Sequence, residues 1–260
     1  MCEACGCAVA PTGADHSDEN RQTVDVLQRL LSANDRIAAH NRDHFEAHGV
    51  LALNLMSSPG AGKTALLEAT IDALKHEFRI AVIEGDLETE NDARRIRAHG
   101  VPAVQITTGS ACHLDARMVH DAVHEIGLAE LDLLFIENVG NLVCPASFDL
   151  GQHHNVVLLS VTEGDDKPEK YPVMFRIADL VLLTKMDLAP VMDDFDPPRA
   201  QAAIRTLANP APVIEVSARR PVSIQPWLDW LRGEVMKIRH PRHSHAQQAE
   251  HVHDHDPLLA

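Results

Sequence analysis

Residues 51–64, LALNLMSSPGAGKT, limit this chain to few folds, because they read in order as a strand, a glycine loop and the start of a helix. Leu51, Leu53, Leu55 and Met56 form an apolar run of strand length. Pro59, Gly60 and Gly62 interrupt it, and from Ala65 to Phe78 apolar residues recur at helical spacing. This is the layout of a P-loop. The amides of Gly60, Ala61, Gly62, Lys63, Thr64 and Ala65 would face phosphate oxygens, with the positive end of the helix dipole behind them. Lys63 would reach the β- and γ-phosphates, and the Thr64 hydroxyl would bind Mg²⁺. Ser57 stands where the full pattern has its first glycine, and Pro59 has no N–H to offer.

The remaining apolar runs repeat the alternation. RIAVIEGD (79–86), VPAVQIT (101–107), LDLLFIENVG (131–140), VVLLSVT, LVLLTKMD and PVIEVSA each read as a buried strand ending in polar residues. Helical patterns separate them, at roughly 91–99 and from Ser110 to Ile126, the latter capped by Ser110 or Thr108. A stripe from Val24 to Ile37 predicts a helix from Thr23 to about Phe45 ahead of the P-loop, and Trp227 to Ile238 forms a closing one. The expected fold is therefore an α/β P-loop NTPase. Its sheet is doubly wound and mainly parallel, with helices on both faces and ligands at the strands' carboxyl ends.

Three segments follow: a Cys-rich metal-binding tail and linker (1–22), a nucleotide-binding domain with an embedded metal site (23–240), and a His-rich tail (241–260) with no core pattern. At 260 residues and 45% apolar composition, the chain can bury one substantial core. A net charge of −15 leaves no broad cationic face for nucleic acid or an anionic membrane. No apolar run reaches spanning length and the N-terminus lacks a signal-peptide pattern. A cytoplasmic protein with its five cysteines reduced is expected.

LVLLTKMD sets Thr184, Lys185 and Asp187 just after a buried strand. A carboxylate there would accept both N1–H and the exocyclic amine of guanine, so Asp187 would select GTP over ATP. The Lys185 stem would lie along the base, and Ser217-Ala218 would present a backbone N–H near O6. Asp86 and Glu137 each end an apolar run and would hold Mg²⁺, directly or through water. Gly140, in E-N-V-G, would let its loop approach the γ-phosphate. No residue stands out as a base for the attacking water, so slow turnover is expected.

Cys112-His113 and Cys144, which lies four residues beyond Gly140, would make a three-ligand site for Zn²⁺ or Ni²⁺. If the γ-phosphate reorders residues 137–144, Cys144 moves and metal affinity changes with it. Separately, Cys2, Cys5 and Cys7 with the α-amino group offer an S₃N set, square-planar for Ni(II) or tetrahedral for Zn(II). Six of the seventeen histidines fall between His240 and His255, where they would buffer metal weakly.

From about Thr23 to Ile238 the chain resembles the HypB-type GTPases that insert nickel into [NiFe]-hydrogenase. The resemblance rests on SSPGAGKT, IEGDLETENDA, GSACHLDA, FIENVGNLVCPASFDLG and TKMD, together with the terminal MCEACGC. It implies a GTP-hydrolysing metallochaperone that forms a homodimer on nucleotide binding. In such a protein Cys112, His113 and Cys144 hold nickel or zinc near the dimer interface, and Cys2, Cys5 and Cys7 form a tight nickel site. It also implies a HypA-type nickel/zinc protein and the hydrogenase large-subunit precursor as partners, and neither nucleic acid nor membrane. Thr184 stands where the family usually has asparagine, and the histidine tract lies at the other end of the chain. The alternatives are a urease-type nickel-insertion GTPase, a passive nickel or zinc store, and a small-molecule P-loop kinase. The ENVGNLVCPASFDLG segment disfavours the first, and an intact GKT and TKMD the second. The kinase would need an acceptor pocket and a lid, for which no motif is seen.

Overall fold

The structure, a computed structural model, describes residues 16–250 apart from 87–89 and 110, with side chains described from 28 to 239. Cys2, Cys5 and Cys7 lie outside the described residues, as do 251–260 of the His-rich tail. The elements run α1 (His16–His48), β1 (Leu51–Ser57), α2 (Lys63–Leu74), β2 (Ile80–Asp86), α3 (Asn91–Ala98) and β3 (Ala103–Thr107). They continue with α4 (Ala116–Ile126), β4 (Leu133–Glu137), β5 (His154–Ser160), α5 (Lys167–Lys170), α6 (Pro172–Arg176), β6 (Leu180–Thr184), α7 (Pro197–Thr206), β7 (Val213–Glu215) and α8 (Gln225–Glu250).

Among the described residues, seven strands form one sheet in the order β3-β2-β4-β1-β5-β6-β7, with every pairing parallel. The chain winds from β1 toward β3, then returns through β4 to continue on the other side of β1. The order thus reverses at β1, where a doubly wound sheet opens its ligand crevice, and the P-loop follows β1 directly. Alternation along β1 splits the core. Leu51, Leu53 and Leu55 meet α2, α3 and α8 on one face, while Ala52 and Met56 belong to the opposite face with α1, α4, α6 and α7. Trp227 is fully buried and donates from Nε1 to Thr70 Oγ1 (2.9 Å), tying α8 to α2.

Two helices differ from the sequence expectation. The fourth does not begin at Ser110 or take its cap there or at Thr108. It starts at Ala116, capped by Asp115, whose side chain accepts from the Met118 amide (2.8 Å). Thr108 instead donates to Ala111 O (2.7 Å) in the preceding loop, which leaves Cys112 and His113 outside the helix. The closing helix runs past Ile238 to Glu250, into the segment that carries no core pattern. The other elements fall within a few residues of expectation, although α1 begins at His16 rather than Thr23. Among the described residues no helix is long and apolar enough to cross a membrane.

Opposite the crevice, Asp132 clamps the sheet's other end. It accepts from Arg79 N (2.9 Å), Nε (3.2 Å) and Nη2 (3.0 Å), and pairs with Arg239 Nη2 of α8 (2.6 Å). Burial alone would raise this carboxyl's pKa, but the Arg79 and Arg239 bonds outweigh it and hold it down to about 2. A depressed folded-state pKa stabilises the fold above the unfolded value of about 3.9, and that stability is lost as pH falls through 2. Asp132→Asn is therefore expected to cost about 1–2 kcal/mol at neutral pH. In acid titrations followed by circular dichroism, the gap to the parent should close between about pH 4 and 2.

Candidate functional site

The crevice beyond β1 and β4 is lined on one side by the P-loop. Gly60 and Gly62 take positive φ (73° and 97°), and Gly62 is the N-cap from which α2 starts. A residue with a side chain would be strained at both positions, and would also crowd a phosphate. Lys63 and Thr64 are buried in the first turn of α2. Lys63 Nζ donates to Ser57 Oγ (2.9 Å), and Ser57 donates to Ser58 O (2.7 Å). The serine in place of the pattern's glycine thus supplies a polar rest for the lysine.

Facing Thr64 is a pair of carboxylates. Thr64 Oγ1 donates to Glu137 Oε1 (3.0 Å), and β2–β4 pairing puts Glu84 directly beside Glu137. Both are buried, and Glu84 Oε1 and Glu137 Oε2 have no hydrogen-bond partner. Burial first, and then the charge of Glu137, push Glu84 up to about 10; burial also raises Glu137, against the pull of Lys63. Two adjacent carboxyls thus share at most one negative charge until a cation arrives. Asp86 lines the same cavity of about 400 Å³, together with Lys63, Thr64, Glu84, Glu137 and Gly140. Gly140 lies against the P-loop: a Cβ there would stand 2.9 Å from Pro59 Cα and N, so only glycine permits this approach.

A second cavity of about 250 Å³ adjoins the first, sharing Gly62 and Ala65, and its lining includes Ala61, Lys185, Asp187, Ser217 and Ala218. Asp187 accepts from Ser217 Oγ (2.6 Å), and that bond holds its carboxyl below the usual range and hence ionised. Lys185, at φ 57°, donates to Gly60 O (2.6 Å), laying its stem over the loop. Thr184 donates to Ala61 O (2.7 Å), so the residue that departs from the family pattern still ties this strand end to the P-loop.

The three expected metal ligands also converge. Cys112 Sγ, Cys144 Sγ and a His113 ring nitrogen lie within 4.8 Å of one another, half-buried. The His113 ring stacks on Phe148 with centroids 3.9 Å apart, and burial lowers its pKa, favouring the neutral imidazole that a metal needs. Hydrogen bonding to Cys144 and then burial raise the Cys112 thiol. A bound cation would reverse this by taking the thiolate.

Asn138 joins the two sites. Its Oδ1 accepts from Leu114 N (3.2 Å), next to His113, and its Nδ2 donates to Asn54 Oδ1 on β1 (3.2 Å). It directly follows Glu137, which holds Thr64. One buried side chain thus connects the residue after Glu137 to the backbone beside His113.

The family described as CobW/HypB/UreG, nucleotide-binding domain, matches residues 51–215. The hydrogenase maturation factor HypB of Azotobacter vinelandii is 55% identical over 217 residues, covering 82% of this chain and 71% of its own. The chain belongs to the HypB family. The HypB of Escherichia coli K12 is 51% identical over 214 residues, 82% of this chain and 73% of its own. Among solved structures, the crystal structure of HypB from Helicobacter pylori in complex with nickel has a TM-score of 0.74 and 44% identity, covering 79% of this chain and 96% of that one. HypB from Archaeoglobus fulgidus follows at TM-score 0.73 and 40% identity, covering 78% and 99%. As a HypB, the chain is a P-loop GTPase and a hydrogenase maturation factor.

Sequence reading missed three kinds of residue in this HypB. Glu84 sits inside an apolar run, and only its register opposite Glu137 reveals it. Asn138 lies between Glu137 and Gly140, and its partners Leu114 and Asn54 are 24 and 84 residues away along the chain. Asn34 and Asn41, buried on α1, hold the metal-ligand loops from behind. Asn34 Oδ1 accepts from Ala116 N (2.9 Å) while its Nδ2 donates to Asp149 O (2.8 Å), and Asn41 Nδ2 donates to Ala116 O (2.9 Å) and Leu150 O (3.0 Å). Polar residues at core positions of an amphipathic helix were the available signal.

Proposed function

We propose that this HypB is a cytoplasmic nickel metallochaperone whose GTP state sets how tightly Cys112, His113 and Cys144 hold the ion. The observation that carries this reading is Asn138, which follows Glu137 in the chain and whose side chain bonds both Asn54 on β1 and the Leu114 amide beside His113. Guanine would be read by Asp187, with Lys185 beside the ring and Ser217-Ala218 near O6. The phosphates would rest on the amides from Gly60 to Ala65. Lys63 would leave Ser57 for the β- and γ-oxygens, where its charge opposes the charge that develops during transfer to water.

A Mg²⁺ cofactor suits the residues present. The two unpartnered buried oxygens of Glu84 and Glu137 form a hard, anionic donor set beside the Thr64 hydroxyl and near Asp86. When bound, the ion supplies positive charge to the β- and γ-phosphate oxygens. The chain's own part is to keep those carboxylates dry and in register and to hold Thr64 against Glu137.

The resemblance supports a homodimer that forms on GTP binding, a HypA-type partner that exchanges nickel or zinc with this chain, and the hydrogenase large-subunit precursor as recipient. The HypB of Helicobacter hepaticus, 51% identical over 173 residues, is called a hydrogenase/urease maturation factor, so urease maturation is the second reading of the client. Nickel binding by the Helicobacter pylori HypB supports nickel as cargo. Cys2, Cys5 and Cys7 would form a separate nickel or zinc site. Sedimentation velocity tests the assembly step: a dimer with a non-hydrolysable GTP analogue and a monomer with GDP are expected. One unchanged species in both nucleotides would refute it.

A further inference from the structure

Five histidines outside the cysteine site gather where α1 crosses α4. His40, His44 and His48 stand one turn apart on α1, and His120 and His124 one turn apart on α4. Ring centroids are 4.4 Å apart for His40–His44, 5.3 Å for His40–His120, 4.4 Å for His120–His124, 6.0 Å for His44–His124 and 6.3 Å for His44–His120, so His44 is the ring that must move in to share an ion. Two imidazoles on one tetrahedral ion, with metal–nitrogen bonds of 2.0–2.1 Å, have centroids roughly 5 Å apart. His120 Nε2 and His124 Nε2 are already 3.1 Å apart, close to the roughly 3.3 Å between two ligand nitrogens of such an ion.

We propose that His40, His44, His120 and His124 form a second, all-imidazole binding site for a divalent transition-metal ion, bridging α1 and α4. The strongest support lies behind the ligands. Asn41 is buried and its Nδ2 donates to two backbone carbonyls, of Ala116 and Leu150, which fixes its Oδ1 toward His120. His120 Nδ1 lies 3.1 Å from that oxygen and must donate to it, which makes Nε2 an acceptor, here from His124 Nε2, and a lone-pair donor once a metal ion replaces that proton. Orientation of a ligand histidine through its other nitrogen is the usual support of a metal site. His48 is left out of the ligand set because its ring lies against His44, with centroids 6.2 Å apart, and not against either histidine of α4.

The charges around the cluster are balanced: Asp43 and Asp121 lie near it, against Arg117, which is paired with Asp121 (3.2 Å), and Arg36, which lines the same pocket as His40 and His120 and donates to Ser32 O. Burial and then the neighbouring imidazoles lower His44 and His120, so both are neutral and ready to ligate at neutral pH. Imidazole donors suit Ni²⁺ and Zn²⁺ alike.

The test is equilibrium dialysis of the full chain against Ni²⁺ alone and, in a second arm, Zn²⁺ alone. His40→Ala/His124→Ala removes one exposed ring from each helix without opening the core. His44→Gln/His120→Gln removes the half-buried pair at similar volume. Both variants are expected to hold one equivalent less than the parent at about 10 μM free ion, with at least tenfold weaker binding at that site. The thiolate-to-nickel absorption of the cysteine sites should be unchanged. The arm that shows the loss identifies the ion. Equal stoichiometry in parent and both variants, with both ions, would overturn the proposal.

Discussion

Replacing Lys63 by alanine is expected to lower kcat/KM for GTP by two to three orders of magnitude, about 2.7–4 kcal/mol of transition-state stabilisation. The reason is local. Lys63 is buried with its ammonium on Ser57 Oγ, beside the cavity where the carboxylates and Gly140 converge. It is the first-turn cation of α2, and Arg95, which lines the same cavity, is already paired with Glu68 and Asp92. Its loss also leaves Glu84 and Glu137 without the cation that draws their pKa values down, so the pair holds its protons more tightly. The variant should keep its fold, because alanine suits the first turn and leaves the apolar face of α2 intact. Steady-state hydrolysis assays at saturating Mg²⁺ measure the effect, and nickel binding with GDP serves as the control that should not change.

The second large effect is on metal. Cys112→Ala/Cys144→Ala, made where Cys2, Cys5 and Cys7 are serine, is expected to weaken nickel binding at the proposed site by at least about 100-fold, or roughly 2.7 kcal/mol. Two of three donors disappear, and a lone imidazole stacked on Phe148 cannot hold the ion. Neither cysteine lines the cavities at the P-loop or beside Asp187. Intrinsic GTP hydrolysis is therefore expected to stay within about twofold of the parent. Competition against a chromophoric chelator gives the affinity, and phosphate release gives the rate.

Much of this architecture is readable from local pattern. Strand–loop–helix order, glycine placement and polar strand ends identify β1, the P-loop and the base-reading segment, since each is encoded in contiguous residues. Cys112, His113 and Cys144 are legible as candidate ligands too, because two sit side by side and the third lies close behind Gly140, and the fold brings the three together. What escaped depends on tertiary register. Glu84 lies within IAVIEGD, where Asp86 looked like the functional carboxylate, and only β2–β4 pairing brings it beside Glu137. The start of α4 moved because Asp115 is the better cap and Thr108 is taken by Ala111 O, a competition between side chains that periodicity does not weigh. Asn34, Asn41 and Asn138 connect segments 75 or more residues apart or bridge two loops, so their partners are invisible along the chain.

The central claim is that phosphate and metal sites communicate through the Glu137–Cys144 loop. The most direct test is the nickel dissociation constant of the Cys112–His113–Cys144 site with GDP and with a non-hydrolysable GTP analogue, in the parent and in Asn138→Ala. A coupling of about 1–3 kcal/mol predicts a 5- to 150-fold difference between the nucleotide states in the parent, shrinking severalfold in the variant. The same dissociation constant in both nucleotide states of the parent would contradict the account.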